Sequence, residues 1–126
     1  MLMTENKFEL RETRVLKSVF DFSRLPEGYV FKGKISISST IEVPKDINTD
    51  KVARCCETLT MGKDDDPFQI LLKTISLFDI VHVGNEDSLQ TDAATICNPQ
   101  ALGALADILH QLTILHLGQP IDIAIP

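Results

Sequence analysis

Alternating apolar and polar residues dominate the first two thirds of the chain and predict β-strands. In the first segment, the apolar side chains fall on even positions and polar ones occupy the other face: Phe8, Leu10, Leu16, Phe20 and Phe22. This is the pattern of a half-buried strand. Fully extended, the segment would span about 50 Å at ~3.3 Å per residue, beyond the usual strand length. A bend or a long sheet is therefore expected.

Three more strands follow in the sequence. The second, YVFKGKISISSTIEV, comes after a turn containing Pro and Gly and keeps one face toward water. The third and fourth, KVARCCETLTM and PFQILLKTISLFDIVHV, are joined by GKDDD, a link of hairpin length, and are predicted to pair antiparallel. Because the fourth strand is apolar on both faces, both of its faces need cover.

A long helix is predicted after the segment GNEDSLQTDAAT, which is interpreted as polar and irregular. Asn98 is suited to the N-cap and Pro99 to the first helical position, while Gly118 and Pro120 signal the end. The helix is therefore predicted over residues 99–117. One stripe with helical spacing is expected to pack on the sheet: Ala101, Leu105, Ile108, Leu112 and Leu115.

Several apolar residues of the helix fall outside this stripe: Leu102, Leu109, Ile114 and Leu117. A small sheet covers one side of a helix, and leaving the rest in water costs about 25 cal/mol per Å². Self-association is therefore expected. The predicted fold class is α+β, a single domain over residues 1–126 with four strands, one long C-terminal helix and a short tail.

Composition and charge restrict the function classes. With 126 residues, 44% hydrophobic and 24% charged, the chain suits one globular core. Its net charge of -6 disfavours nucleic acid and anionic membranes as partners. The acidic run from Asp64 to Asp66 is either a solvated turn or a site that attracts basic partners. No signal-peptide pattern or membrane-spanning apolar run is present in the sequence, so a cytoplasmic location is expected.

The sequence contains no residue set with the spacing of a catalytic or metal site. His110 and His116 are six residues apart, about 240° around a helix, so they do not form a chelating pair. Cys55 and Cys56 are adjacent in a strand and point to opposite faces, and the three cysteines lack C-x-x-C spacing. Nucleotide-binding and hydrolase motifs are missing. We expect no enzymatic activity, no cofactor and no metal.

Two apolar segments outside the main pattern have alternative interpretations. Leu25, Tyr29 and Phe31 lie beside the turn between the first two strands, as either a hydrophobic plug or part of an open contact surface. The tail PIDIAIP alternates in the manner of an extended segment, and docking onto its own fold is its default interpretation. Three tail residues would lie against an apolar surface: Ile121, Ile123 and Ile125.

The order of the elements and several local strings together resemble the SecB family of protein-export chaperones. The resemblance covers nearly the whole chain. It rests on KSVFDF in the first strand, TLTMGKDDDPFQILL through the hairpin, SLFDI in the fourth strand, and ICNPQALGALADIL leading to LGQPIDIAIP. The last region is similar to the family's Cys-Pro-Asn helix start, its mid-helix acidic residue and its Pro-led extended exit.

This resemblance implies a fold, a function and an assembly. The fold it implies is α+β, a four-stranded antiparallel sheet with the one long C-terminal helix packed on it. Members of the family form dimers that pair into tetramers, hold unfolded polypeptide clients in apolar grooves without ATP, and deliver them to an export motor ATPase. A homodimer or homotetramer is therefore expected here. The expected groove residues are Leu25, Tyr29, Phe31, Leu102, Leu109, Ile121, Ile123 and Ile125. The expected partner-docking residues are Asp64, Asp65 and Asp66.

Three departures from the family pattern bear on export. The family continues past the Pro-led exit into a second helix and a tail that contacts the motor, whereas this sequence ends at Pro126. The family's acidic motor-contact positions fall near Val19, Ser23 and Lys63, and the basic residue before the mid-helix acid is Ala106. An alternative hypothesis keeps the fold and makes the protein either an interaction protein with one dedicated partner or a structural oligomer, without an export role.

Overall fold

Four antiparallel strands and one long helix make up the part of the chain that the computed structural model describes, residues 5–28, 35–62 and 65–121. The elements are β1 (Lys7–Asp21), β2 (Ile35–Glu42), β3 (Val52–Met61), β4 (Gln69–His82), a 3-10 turn (Glu86–Ser88) and α1 (Leu89–Leu117). The strand order is β1-β4-β3-β2, and every neighbouring pair is antiparallel. The predicted α+β fold and the β3–β4 hairpin are confirmed.

β1 is fifteen residues long, and its pairing with β4 has three register shifts, two of which are bulges in β1. Arg11 and Leu16 are each an extra residue opposite β4, and each insertion inverts the alternation of side chains between the two faces. Between the bulges, Thr13 lies opposite Ser76, and their hydroxyl oxygens are 2.8 Å apart. The predicted alternation on even positions is therefore wrong in this stretch. The second bulge returns Phe20 to the core side.

The start of α1 differs from its prediction. The helix begins at Leu89, ten residues before Pro99, so the predicted N-cap at Asn98 is wrong and Pro99 lies inside the helix. An internal proline costs about 3 kcal/mol because it removes one helical hydrogen bond and crowds the preceding turn. Burial of Leu89 and Ala93 against the sheet offsets this cost. Tertiary packing therefore extends the helix through a segment that was interpreted as irregular.

The end of α1 is as predicted. Gly118 adopts a left-handed conformation with φ 75°, and its N–H donates to the carbonyl oxygen of Ile114 at 2.8 Å. A residue with a Cβ is strained in this conformation, so glycine suits the position after the last helical turn. Gly118, with Pro120 two residues later, was therefore sufficient to predict where the helix ends.

Asn6 holds the beginning of α1 against the sheet. Its side chain is buried, with Nδ2 2.8 Å from the carbonyl oxygen of Asn85 and 2.8 Å from Asp92 Oδ2. Its Oδ1 accepts hydrogen bonds from the backbone N–H of Gly84 at 2.9 Å and of Asn85 at 3.1 Å. One amide thus satisfies backbone groups of the loop and a carboxylate of the first helical turn.

The helix crosses the sheet diagonally. Near its start, Gln90 Nε2 donates to the carbonyl oxygen of Ile41 in β2, an edge strand, at 2.9 Å. Near its end, His116 stacks on Phe20 of β1, the other edge strand, with ring centroids 5.0 Å apart. The helix therefore leans toward β2 at one end and toward β1 at the other.

The buried residues of α1 occur at every fourth position: Leu89, Ala93, Cys97, Ala101, Leu105, Leu109 and Thr113. Since a turn has 3.6 residues, each step of four drifts about 40°, and the stripe winds around the helix. The predicted stripe assumed one constant face. Consequently Leu109, predicted to lie outside it, is buried, and Leu115, predicted to lie in it, is 80% exposed.

The role of Asn6 predicts a large effect for a small truncation. Asn6→Ala is expected to reduce the free energy of unfolding by about 2 to 3 kcal/mol, because buried backbone and carboxylate groups lose their partner. Urea denaturation measures this change. The matched control is Asn48→Ala, at an exposed loop position, which should change stability by less than about 0.5 kcal/mol. Equal effects of the two substitutions would contradict the assigned role.

Candidate functional site

The buried apolar residues form two clusters along the helix. The first cluster lies under the N-terminal half of α1: Ala53, Cys55, Phe78, Ile80, Leu89, Ala93, Cys97 and Ala101. The second cluster lies under its C-terminal half: Leu59, Met61, Phe68, Ile70, Leu72, Leu105, Leu109 and Ile121. Half-buried apolar side chains surround both clusters: Phe8, Ile41, Val43, Ile47 and Val83 pack on the first, and a larger set packs on the second.

The half-buried side chains packed on the second cluster form its rim: Phe20, Phe22, Leu25, Leu102, Ile108, Leu112 and Leu117. Aromatic rings strengthen one side of the rim. Phe22 lies 6.5 Å from the fully buried Phe68 and 6.2 Å from Phe20, between ring centroids, and His116 covers Phe20. Large apolar side chains that remain partly in contact with water form a surface that another chain can cover.

The diagonal path of α1 extends this apolar surface toward β2. Ile35 and Ile37 lie opposite Met61 and Leu59 of the second cluster, so their side chains are on the helix side of the sheet. They are nevertheless 36% and 39% exposed. Because the end of the helix leans toward β1, it leaves this corner of the sheet uncovered. The rim and the β2 corner together are called the apolar surface below.

Four of the eight predicted groove residues belong to the second cluster or its rim. Leu25 and Leu102 are half-buried on the rim, whereas Ile121 is 9% exposed and Leu109 is fully buried. Leu109 therefore packs in the core beneath the rim and does not itself reach the surface. The other four predicted residues lie outside the described residues: Tyr29, Phe31, Ile123 and Ile125.

The chain after α1 is attached to the helix at its first apolar residue. The backbone N–H of Ile121 donates to Thr113 Oγ1 at 2.7 Å, and Thr113 is itself fully buried. The same hydroxyl donates to the carbonyl oxygen of Leu109, also at 2.7 Å. The beginning of the tail thus docks onto its own fold, as predicted, and closes one side of the second cluster.

The prediction of the site missed Phe20, Phe22 and His116. A signal for the phenylalanines was present in the sequence, because KSVFDF puts two aromatic residues on one face immediately before a turn. No comparable signal exists for His116, whose ring meets Phe20 only through the fold. The β2 corner was also missed, since the direction of the helix across the sheet cannot be read from either element alone.

A polar row crosses the sheet beneath α1 between the two clusters. Glu57 of β3 is fully buried, and one of its carboxyl oxygens, Oε2, accepts a hydrogen bond from the Ser39 hydroxyl. Its other oxygen, Oε1, has no partner within the described part of the chain, and neither has the hydroxyl of Thr74, which lies directly opposite on β4. Burial raises the pKa of Glu57, and the bond from Ser39 opposes this shift.

The titratable groups of the first cluster are unsuited to nucleophilic chemistry. Burial raises the pKa of the Cys55 and Cys97 thiols to about 12, so both are protonated at neutral pH. Only the deprotonated thiolate is a good nucleophile. Over residues 5–28, 35–62 and 65–121, no three His, Cys, Asp or Glu side chains are grouped as metal ligands. What this arrangement offers chemically is the burial of apolar groups.

The predicted docking residues lie at the β3–β4 hairpin. Asp65 is exposed and Asp66 is half-buried, while Asp64 lies outside the described residues. The Arg24 guanidinium donates to the backbone carbonyl of Asp66 at 3.3 Å, which ties the hairpin to the loop after β1.

Among the described helices, none has the length and apolar character needed to span a membrane.

Comparison with known proteins identifies the fold. No protein-family model and no curated protein matches the chain. Among solved structures, it is similar to Rv1957 of Mycobacterium tuberculosis, a SecB-like chaperone in complex with a ChAD peptide from the Rv1956 HigA1 antitoxin. The TM-score is 0.71 and the identity 17%, with 94% of this chain and 90% of that chain covered. The fold is SecB-like.

A second solved structure has weaker similarity. A protein of unknown function from Streptococcus agalactiae has a TM-score of 0.49 and 12% identity, with 96% of this chain and 99% of that chain covered. The SecB-like assignment therefore depends on the likeness to Rv1957, together with the strand order and the single long helix. At 17% identity the likeness concerns the fold.

The polar row predicts how stability depends on pH. The pKa of Glu57 is higher in the folded chain than in the unfolded chain, where it is near 4.5. The protonated side chain therefore contributes its full share of the free energy of unfolding below about pH 4.5, and this share is lost as pH rises through the folded pKa. Glu57→Gln removes this loss. The variant is therefore expected to gain stability relative to the unchanged chain as pH rises above about 4.5, as measured by urea denaturation across pH.

The control for this prediction is Glu27→Gln, which removes an exposed carboxyl group of the loop after β1. Its stability difference from the unchanged chain should vary little over the same pH range. If the Glu57→Gln and unchanged chains gave parallel stability curves, the assignment of a raised pKa to Glu57 would be wrong.

Proposed function

We propose that the protein is an ATP-independent, holdase-type chaperone that binds unfolded or extended apolar polypeptide on the apolar surface. The observation that carries this proposal is the continuity of the second cluster with half-buried Phe22, Leu25 and Leu102 on one side and uncovered Ile35 and Ile37 on the other. Apolar burial is non-directional, so such a surface accepts many sequences. No catalytic step is part of the proposal.

The sheet edge beside the apolar surface supports binding of an extended segment. β2 is an edge strand of the described sheet, so one side of its backbone has no neighbouring strand among the described residues. An extended client can pair with such an edge through its own backbone while it places side chains on neighbouring pockets. Backbone pairing is independent of sequence, and together with apolar contacts it suits a holdase.

The Rv1957 complex supports a peptide-binding role for this fold. That protein is a SecB-like chaperone, and its structure contains a peptide from an antitoxin. We propose that this chain likewise binds polypeptide, through the groove residues predicted from its sequence. The proposed contact residues are Leu25, Tyr29, Phe31, Leu102, Ile121, Ile123 and Ile125, with Leu109 as the support beneath the rim.

A second candidate function is the binding of one dedicated protein partner. The peptide bound by Rv1957 comes from one particular antitoxin, which favours this alternative for a SecB-like fold. Capture of proteins from a cell lysate separates the two functions. Many unfolded clients support the holdase, whereas one folded partner at fixed stoichiometry supports the dedicated role.

Delivery of clients to an export motor ATPase is a finer part of the proposal and needs a separate contact. The candidates for that contact are the acidic hairpin residues Asp64, Asp65 and Asp66. Since Asp65 is exposed, it is the position at which charge reversal tests motor binding without altering the core. Retained holdase activity with lost motor binding would support the export role specifically.

The holdase proposal predicts a selective effect of polar substitutions on the rim. Leu25→Gln combined with Leu102→Gln is expected to weaken client binding by about tenfold, because each loses roughly 0.8 kcal/mol per buried methylene at the interface. Suppression of aggregation of a chemically denatured client, followed by light scattering, measures the effect. The expected effect is a lower affinity for the client.

The matched control is Val81→Gln, which replaces an apolar residue that is 50% exposed on β4. This variant should protect the client as well as the unchanged chain does. Failure of the unchanged chain to slow aggregation or to bind an apolar peptide would overturn the proposal, and so would equal losses in the rim and control variants.

Assembly into a homodimer or homotetramer is also proposed, because α1 presents apolar residues to water. Leu115 is 80% exposed, Ile114 41% and Ile96 39%. Leu115→Glu is expected to lower the molar mass measured by size-exclusion chromatography with light scattering, since a charge at a contact costs free energy without a partner. Glu substitution at the exposed loop position Asn48 is the control. A monomeric unchanged chain would contradict the assembly.

A further inference from the structure

Two lysines lie directly opposite each other on the face of the sheet that points away from α1. Lys17 of β1 and Lys73 of β4 are register partners, and both are exposed. Side chains of such partners are about 4.5 to 5.5 Å apart at Cβ, and like charges in this position repel. The arrangement therefore costs stability in the isolated chain and calls for an explanation.

The second bulge of β1 creates this pair. Val15 lies opposite Thr74, whose side chain is buried beneath the helix, so regular alternation would turn Lys17 to the helix side as well. The extra residue Leu16 inverts the alternation and places Lys17 beside Lys73. The bulge at Leu16 thus places Lys17 on the outer face of the sheet, next to Lys73.

No carboxylate of the described residues relieves the two lysines. The ion pairs found there all use arginine: Arg11 with Asp79, Arg14 with Glu12, and Arg54 with Asp50. The chain has 18 acidic against 12 basic residues, so carboxylates are plentiful. Two neighbouring cations that have no carboxylate partner within residues 5–28, 35–62 and 65–121 are therefore available to an external one.

Apolar side chains flank the lysine pair at a regular spacing. Leu71 and Ile75 are half-buried and lie two residues on either side of Lys73, about 6.8 Å away along the strand. Val19 lies opposite Leu71 and is 40% exposed. Together with Thr60 and the start of β4, Val19 and Leu71 line a cavity of about 280 Å³. The lysine patch is defined as Lys17, Lys73, Val19, Leu71 and Ile75.

We propose that the lysine patch binds an extended acidic polypeptide segment in which one carboxylate lies between two apolar residues, in the pattern apolar–x–acidic–x–apolar. Alternate side chains of an extended segment repeat at the same spacing as Leu71, Lys73 and Ile75, so all three contacts form together. The carboxylate lies between the two lysines, and one apolar residue enters the cavity at Val19.

A peptide fits this patch better than a nucleic acid. Nucleic-acid affinity grows with the number of phosphates neutralised, and the patch offers two cations in a chain of net charge -6. A single carboxylate flanked by apolar side chains matches both the charge and the apolar spacing. The patch lies on the opposite side of the sheet from the apolar surface, so this binding is independent of the holdase proposal.

The test uses a fluorescein-labelled nonapeptide, Gly-Ser-Leu-Thr-Glu-Thr-Leu-Ser-Gly, and fluorescence anisotropy with the full chain at low ionic strength. Lys17→Glu and Lys73→Glu are each expected to weaken binding by about tenfold, whereas Lys45→Glu, the same charge change in the exposed loop after β2, should change it by less than about twofold. A peptide with glutamine in place of glutamate should bind weakly to every chain.

A charge exchange provides the decisive arm. The double variant K17E/K73E should bind the corresponding peptide with lysine in place of glutamate, which the unchanged chain rejects. The proposal is overturned if no binding occurs at about 1 mM peptide, if the glutamine peptide binds equally well, or if Lys45→Glu weakens binding as much as the patch variants do. Tighter, lysine-dependent binding of a single-stranded RNA oligonucleotide would also overturn it.

Thermal stability gives an independent readout of the premise. Lys73→Glu replaces a repulsive cross-strand pair by an attractive one, so its melting temperature should exceed that of the unchanged chain even though it binds the acidic peptide less well. A lower melting temperature would overturn the premise that the two lysines repel each other. Retained folding in that variant also shows that loss of peptide binding reflects the charge.

Discussion

Contact between α1 and the sheet through one stripe of side chains is the constraint on which the rest of the structure depends. After Leu89, the stripe has three small residues, Ala93, Cys97 and Ala101, and it continues with Leu105 and Leu109. Small side chains permit a close approach of helix and sheet, whereas leucines need more space between them. The first cluster therefore packs small helix residues on the sheet and the second packs larger ones, and half-buried apolar side chains surround both.

The diagonal direction of α1 follows from the same stripe and decides which side chains remain uncovered. A contact line that winds around the helix directs its two ends toward different edge strands, β2 through Gln90 and β1 through His116. On β2, the helix contacts the Ile41 end and leaves the Ile35 end exposed. Ile35 and Ile37 on β2 remain exposed beside a completed core, so the candidate binding surface is a geometric consequence of how the helix lies.

Signals that are local in sequence were sufficient for most of the fold and failed where partners are distant. The predictions of strands β2, β3 and β4 and of the helix end at Gly118 depend on neighbouring residues, and these predictions are confirmed. The start of α1 depends on Asn6, which bonds to Asp92 86 positions further along the chain. The bulges at Arg11 and Leu16 depend likewise on pairing with β4. For the site, the rim was only partly predictable, because His116 meets Phe20 through the fold.

The polar row explains how the chain can offer apolar surface at one end and remain folded. Unsatisfied buried oxygens on Glu57 and Thr74 cost free energy, and they lie where one continuous apolar core would otherwise join the two clusters. The first cluster, with the Asn6 contacts at its end, holds helix and sheet together without help from the rim. Binding surfaces generally lie in the less stable parts of a fold. In this protein the row of Ser39, Glu57 and Thr74 marks the boundary between the proposed binding surface and the half of α1 that Asn6 anchors.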